Sequence, residues 1–185
     1  MKQFDFVRFN GFMRHGLDEL LLNDLLNHDI FNESDLHSAA YVYIRAFFRK
    51  NERSHIYVRC EPHLAGMKPD IVIFNRTKPI YAVEFKCSMK QDYVNDETVF
   101  KDLDKLAEVV NRFESVKRGF FYLVHDSEES YKISNSALKK RGYENISMST
   151  INARRNEKTG RRRHNYDSWR EEFDSLIAQQ REAAA

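Results

Sequence analysis

The sequence predicts an α/β (α+β) fold. Apolar residues recur at helical spacing through residues 36–48 and 99–113, two short apolar runs at 71–74 and 80–83 flank a polar break, and residues 119–124 are almost continuously hydrophobic. Helices therefore alternate with strands, and the last strand is of the kind covered on both faces. A hydrophobic content of 42%, with 14 Phe and 9 Tyr, suffices for one core in 185 residues, and only 6 Gly and 3 Pro exclude a fibrous or low-complexity chain.

The first 20 residues mix aromatics with charges and contain neither the apolar h-region of a signal peptide nor the ~20 apolar residues of a membrane span. A cytoplasmic protein with no membrane partner is the expectation. Two cysteines, Cys60 and Cys87, are too few for a disulfide framework. Together with His63 they make a poor zinc site, lacking a fourth ligand and any C-x-x-C pair, so both cysteines read as small buried residues.

Leu17, Leu20, Leu21, Leu22, Leu25 and Leu26 predict a packing helix over 16–28. A second helix starts after Asn32-Glu33-Ser34-Asp35, where Asn32 or Ser34 caps and acidic residues suit the helix dipole. Its buried stripe is Leu36, Ala39, Ala40, Tyr43, Ile44, Phe47 and Phe48, and Glu33, His37 and Ala40 share one face. Residues 54–61 alternate apolar and polar and read as a strand with one wet face.

Residues 71–74 and 80–83 then form a β-hairpin around Asn75-Arg76-Thr77-Lys78. With the turn centred on Thr77, partners sum to 154, so Phe74 faces Ile80, Val72 faces Ala82 and Asp70 faces Glu84. Two facing carboxylates, with Cβ atoms roughly 5 Å apart, repel unless a cation lies between them. Lys86 follows Glu84 at the strand period and projects onto the same face.

Pro69-Asp70, thirteen intervening residues, then Glu84-Phe85-Lys86 resembles the PD-(D/E)XK motif of the restriction-endonuclease-like nuclease superfamily. The resemblance implies a core of helix, three-stranded antiparallel sheet, helix and strand, covering about residues 33–125. It also implies a glutamate on the first core helix facing the metal site, a position that Glu33 matches best and for which Asp35 competes. Glu33 is equally well placed to belong to the helix cap.

The rest of the chain completes that order. Val99, Leu103, Leu106, Val110 and Phe113 stripe a helix, with Lys101, Asp102, Lys105 and Glu108 on the other side, and residues 119–124 form the following strand. Asp102 and Lys105 look like helix residues that face substrate in such enzymes, although charge on a helix is usually just solvated. A surface position is the simpler reading of Glu61. Nothing brings His125-Asp126 near Asp70. Residues 130–141 read as a short helix and 143–151 as a fifth strand, closing a domain over 1–152.

From 153 to 185 the character changes. Arg154, Arg155, Lys158, Arg161, Arg162 and Arg163 oppose only Glu157, in a chain whose net charge is +2. A concentrated basic arm suits nucleic-acid backbone and predicts salt-dependent binding. A solvated loop or an acidic partner subunit is the other reading. Trp169, Phe173, Leu176 and Ile177 stripe a last helix that covers the sheet or clasps a second copy in a homodimer.

The expected chemistry is metal-dependent phosphodiester hydrolysis. Asp70, Glu84 and the carbonyl of Phe85 hold Mg²⁺, for which Mn²⁺ substitutes, Lys86 orients and activates water, and Glu33 holds a second ion if there is one. The resemblance favours DNA over RNA and an endonuclease. The rival class is a catalytically silent nucleic-acid-binding or assembly subunit of the same fold.

Overall fold

A computed structural model describes residues 5–27, 29–50, 55–89, 95–127, 131 and 133–153. The basic arm, from Arg154 to Arg163, and the helix expected around Trp169 lie outside the described residues.

The chain begins with α1 (Phe6–Gly11), a five-residue π-helical segment (Phe12–Gly16) and α2 (Leu17–Leu26), which run on without a break. The predicted helix over 16–28 is thus the second half of a longer one. Phe9, Met13, Leu17, Leu21 and Leu25 are all fully buried and spaced four apart. Strict four-residue spacing drifts around a helix of 3.6 residues per turn, and one wider π turn brings the stripe back toward a single face. Phe9 fixes the first turn, its ring 5.0 Å from Phe48 and 4.8 Å from Tyr81.

Helix α3 (Glu33–Lys50) follows, capped by Asn32, whose Oδ1 accepts the Asp35 amide at 3.0 Å. It buries Leu36, Ala40, Ile44 and Phe48, the centre of the predicted stripe. Then come β1 (Ile56–Cys60), β2 (Ile71–Asn75), β3 (Lys78–Ser88), α4 (Asp96–Arg112), β4 (Arg118–His125), α5 (Asn135–Lys140) and β5 (Ile146–Asn152). Asn95 caps α4, accepting the Glu97 and Thr98 amides.

The five strands make one mixed sheet in the order β1-β2-β3-β4-β5. β1–β2 and β2–β3 pair antiparallel; β3–β4 and β4–β5 pair parallel, through crossovers that contain α4 and α5. Strand alternation divides the core in two. Tyr81, Val83, Phe85, Phe120, Tyr122 and Val124 pack with the first three helices, and Val72, Ala82, Phe121 and Leu123 with α4 and Leu138 of α5. Gly119 lets α4 approach closely, since a Cβ there would stand 2.9 Å from the Leu106 side chain.

The hairpin departs from the expected register near its turn. Val72 faces Ala82 as predicted, but Phe74 faces Pro79, not Ile80, and Asn75 faces Lys78. A two-residue turn at Arg76-Thr77, with Arg76 at φ +56, sets partners that sum to 153. A bulge between Ile73 and Phe74 leaves Ile80 unmatched and restores the sum of 154 at Ile73↔Tyr81, Val72↔Ala82 and Ile71↔Val83. Without that extra residue, every side chain from Tyr81 onward would swap faces relative to β2. Extended one step past Ile71↔Val83, this register sets Asp70 across from Glu84.

Candidate active site

β2 begins at Ile71, so β3 beyond Val83 has no antiparallel partner for its outward amides. Two carboxylates take that place. Asp70 Oδ2 accepts the Phe85 amide at 2.8 Å, and Glu33 Oε2 accepts the Cys87 amide at 3.1 Å. Glu33, 54 positions from Cys87 in sequence, is thereby lined up with Asp70 along one strand edge, on amides two residues apart. In a strand, the carbonyl of a residue leaves on the same side as its amide, so Phe85 offers an oxygen toward the Asp70 side as well.

Glu84 points into the α4 layer and is 1% exposed. Lys105 Nζ, from α4, lies 2.6 Å from Glu84 Oε2 and 4.0 Å from Asp70 Oδ1. Lys86 Nζ is 3.3 Å from Asp102 Oδ2, one helical turn earlier. From α3, His37 Nε2 stands 3.3 Å from Asp70 Oδ2, an ionic contact rather than an aligned hydrogen bond. Seven ionisable side chains thus converge from α3, the end of the β1–β2 loop, β3 and α4.

Their environments pull the two central carboxyls apart. Burial, then the charge of Asp70, pushes Glu84 up to about 9 despite the Lys105 ammonium. Burial also opposes ionisation of Asp70, but the contact with His37 and the Phe85 amide outweigh it and hold the carboxyl below its usual range. Burial disfavours the His37 imidazolium, and Asp70, with help from Glu33 and Glu61, outweighs that and raises its pKa. Lys105 is likewise held protonated: Glu84 and Asp70 outweigh its partial burial.

Glu33, Asp70, Glu84 and Phe85 stand together as the sequence reading places them, and Lys86 is on the same strand face as Glu84. Asp35 turns away: its Oδ2 accepts the Phe31 amide at 3.0 Å, in the helix cap. Glu61 pairs with Lys68 at 2.5 Å on the surface. Lys105, Asp102 and His37 are the residues that sequence reasoning left out of the site. His37 shares a helix face with Glu33, and Asp102 and Lys105 are three apart on the helix after β3, so the spacing was available as a signal. Cys60 corrects the reading of both cysteines as buried: it is exposed, since β1 is an edge strand.

The donor set is entirely oxygen, and Glu84 Oε1 is buried with no hydrogen-bond partner among the described residues. An orphaned buried carboxyl oxygen beside an ionised aspartate suits a hard divalent cation such as Mg²⁺. Lys105 supplies the positive charge between the carboxylates, and among the described residues no group of three His, Cys, Asp or Glu side chains is assembled to hold an ion alone. A scan against protein-family models finds no match, and a search of curated proteins finds no similar one. Among the described residues, no helix is long and apolar enough to cross a membrane.

Proposed function

We propose that this protein is a Mg²⁺-dependent nuclease that cleaves phosphodiester bonds in DNA, with the restriction-endonuclease-like arrangement of Asp70, Glu84 and Lys86 as its centre. The observation that carries the reading is the pairing of a half-buried, ionised Asp70 with a buried Glu84 that has an orphaned oxygen, beside two lysines. An unsatisfied buried carboxyl oxygen costs free energy, which a bound cation would recover.

In this reading Asp70, Glu84 and the Phe85 carbonyl would hold the ion, and Glu33 would be available for a second one. The bound ion supplies a water of lowered pKa and a counter-charge for the phosphate. His37 keeps Asp70 ionised and oriented. Lys86, steadied by Asp102, presents its ammonium to the attacked phosphate and stabilises charge that grows in the transition state. Lys105, beside the same carboxyls, would add a second positive charge near the phosphate. The basic segment from Arg154 to Arg163 adds backbone affinity without sequence preference.

One observation favours the silent alternative. Lys105 already sets one positive charge against the ionised Asp70, and Glu84 holds its proton, so the cluster balances its charge without an ion. Incubating the protein with supercoiled plasmid, linear duplex and RNA, in Mg²⁺, Mn²⁺ or EDTA, separates the two. Cleavage that needs metal supports the nuclease and names its substrate. Binding without cleavage supports the silent module.

A further inference from the structure

A second polar site lies at the starts of β4 and β5, away from the carboxylate cluster. The π-helical segment, the starts of β4 and β5, and the α5–β5 connection enclose a cleft of about 570 Å³, the size of a small-ligand pocket. Arg118 Nη1 donates to Ser147 Oγ at 2.8 Å, and Arg14 Nη2 donates to the same oxygen at 3.3 Å. Lys139 also lines it, and among the described residues Glu144 is the one acidic residue that does. Among the described residues, neither arginine has a carboxylate within 4.0 Å. The two guanidiniums are close enough that Arg14, after burial, lowers the pKa of Arg118.

Holding two like charges on one hydroxyl costs energy, and the fold is built to hold them there. The π turn contains Arg14 and His15, and π turns in helices recur at functional sites. The Met13 carbonyl within that turn accepts the buried Tyr122 hydroxyl, and Ser149 Oγ donates to Asp18 Oδ2 at 2.8 Å, so both ends of the segment are tied to the sheet. The apolar wall of Phe120 and Ile146 and the ring of Tyr143 lie beside the cationic end. Two forked guanidiniums and an ammonium match the oxygens of a phosphate, and the apolar wall matches a base or similar ring.

We propose that this cleft binds a nucleotide-sized phosphomonoester, with Arg14 and Arg118 on the phosphate. The site shares no residue with the carboxylate cluster: Arg118 sits opposite Tyr81, three positions before Glu84, and Ser147 lies one strand further out. It stands whether or not the protein is a nuclease. The shared chemistry has two sources, a free mononucleotide or the 5′-phosphate of a nucleic-acid end.

Calorimetric titration of the full chain in EDTA tests it, with AMP, adenosine, and a thymidine dinucleotide with and without a 5′-phosphate as probes. Binding of AMP but not adenosine assigns a free nucleotide; binding of the phosphorylated dinucleotide alone assigns a nucleic-acid end. In either case Arg14→Gln and Arg118→Gln each weaken binding about tenfold, the worth of one charge-assisted hydrogen bond, while Lys101→Gln, on the exposed face of α4, leaves it unchanged. Arg14 is exposed, so its substitution reports on binding even if Arg118→Gln perturbs folding. No phosphate-dependent binding, or binding that Arg14→Gln leaves intact, overturns the proposal.

Discussion

Lys105 Nζ lies 2.6 Å from Glu84 Oε2 and 4.0 Å from Asp70 Oδ1, so an ammonium from α4 occupies the place between two carboxylates where a divalent cation is expected to act. The lysine and an ion compete for the same charge. Lys105→Gln is therefore expected to lower stability in EDTA by about 3–5 kcal/mol at most, the cost of breaking a buried pair, reduced because Lys105 is about one-third exposed, and to lower the melting temperature accordingly. Added Mn²⁺ should stabilise the variant more than the wild type. Equal Mn²⁺ shifts in both proteins would separate Lys105 from the ion site.

The two acidic residues at the start of α3 have different tasks. Glu33 bonds the edge of β3, and Asp35 bonds the Phe31 amide in the cap. Asp35→Ala should cost about 1 kcal/mol of stability, the usual worth of a cap, with cleavage by the folded fraction unchanged. Glu33→Gln should reduce cleavage more than Asp35→Asn does. Thermal melts and initial rates measured on the same preparations check both, and the opposite ranking would exchange their roles.

Glu84 makes stability depend on pH in a stated direction. Its carboxyl titrates near 9 in the fold against an ordinary value of 4.5, so between those values only the folded state holds its proton. The stabilisation is complete below about pH 4.5 and is lost as pH rises toward 9. His37, also raised, acts in the same direction from its ordinary 6.5 upward. In EDTA the wild-type melting temperature should fall from pH 5 to pH 9, and Glu84→Gln should flatten that fall and gain on the order of 1 kcal/mol at pH 8, about 3 °C for a domain of this size. A melting temperature that rises over this interval contradicts the assignment.

The close approach of α4 to the sheet is tested at Gly119. A Cβ there would meet Leu106 at 2.9 Å and Val110 at 3.1 Å, both in the core. Gly119→Ala should destabilise by about 1–3 kcal/mol through overpacking, and it should shift Asp102 and Lys105 away from β3 and lower activity with it. Denaturant melts and cleavage rates report the two effects.

Much of this arrangement was legible in the chain. The helix-strand sequence followed from period alone, and the facing of Asp70 and Glu84 followed from counting across the hairpin. That count reached the observed register for a reason it did not contain: the turn is one residue tighter than a centre on Thr77 implies, and the bulge at Ile80 returns the missing step. The start of the first helix was hidden because Phe9 and Met13 are interleaved with charges and share with Leu17 a four-residue spacing that a π turn accommodates. Lys105, Asp102 and His37 were invisible as partners for another reason. Helical spacing says which residues share a face, and the contacts of α3 and α4 with β3 decide what that face meets.

The central claim is metal-dependent cleavage at Asp70, and the most direct measurement is the rate at which wild type and Asp70→Asn nick supercoiled plasmid in Mn²⁺, beside an EDTA control and melting curves for both proteins. Wild type is expected to nick in Mn²⁺ and not in EDTA, and the folded Asp70→Asn protein to lose activity by about a hundredfold or more, as removal of a centre that stabilises transition-state charge requires. Equal nicking by the two proteins, or no nicking by wild type on plasmid, linear duplex or RNA, would contradict it.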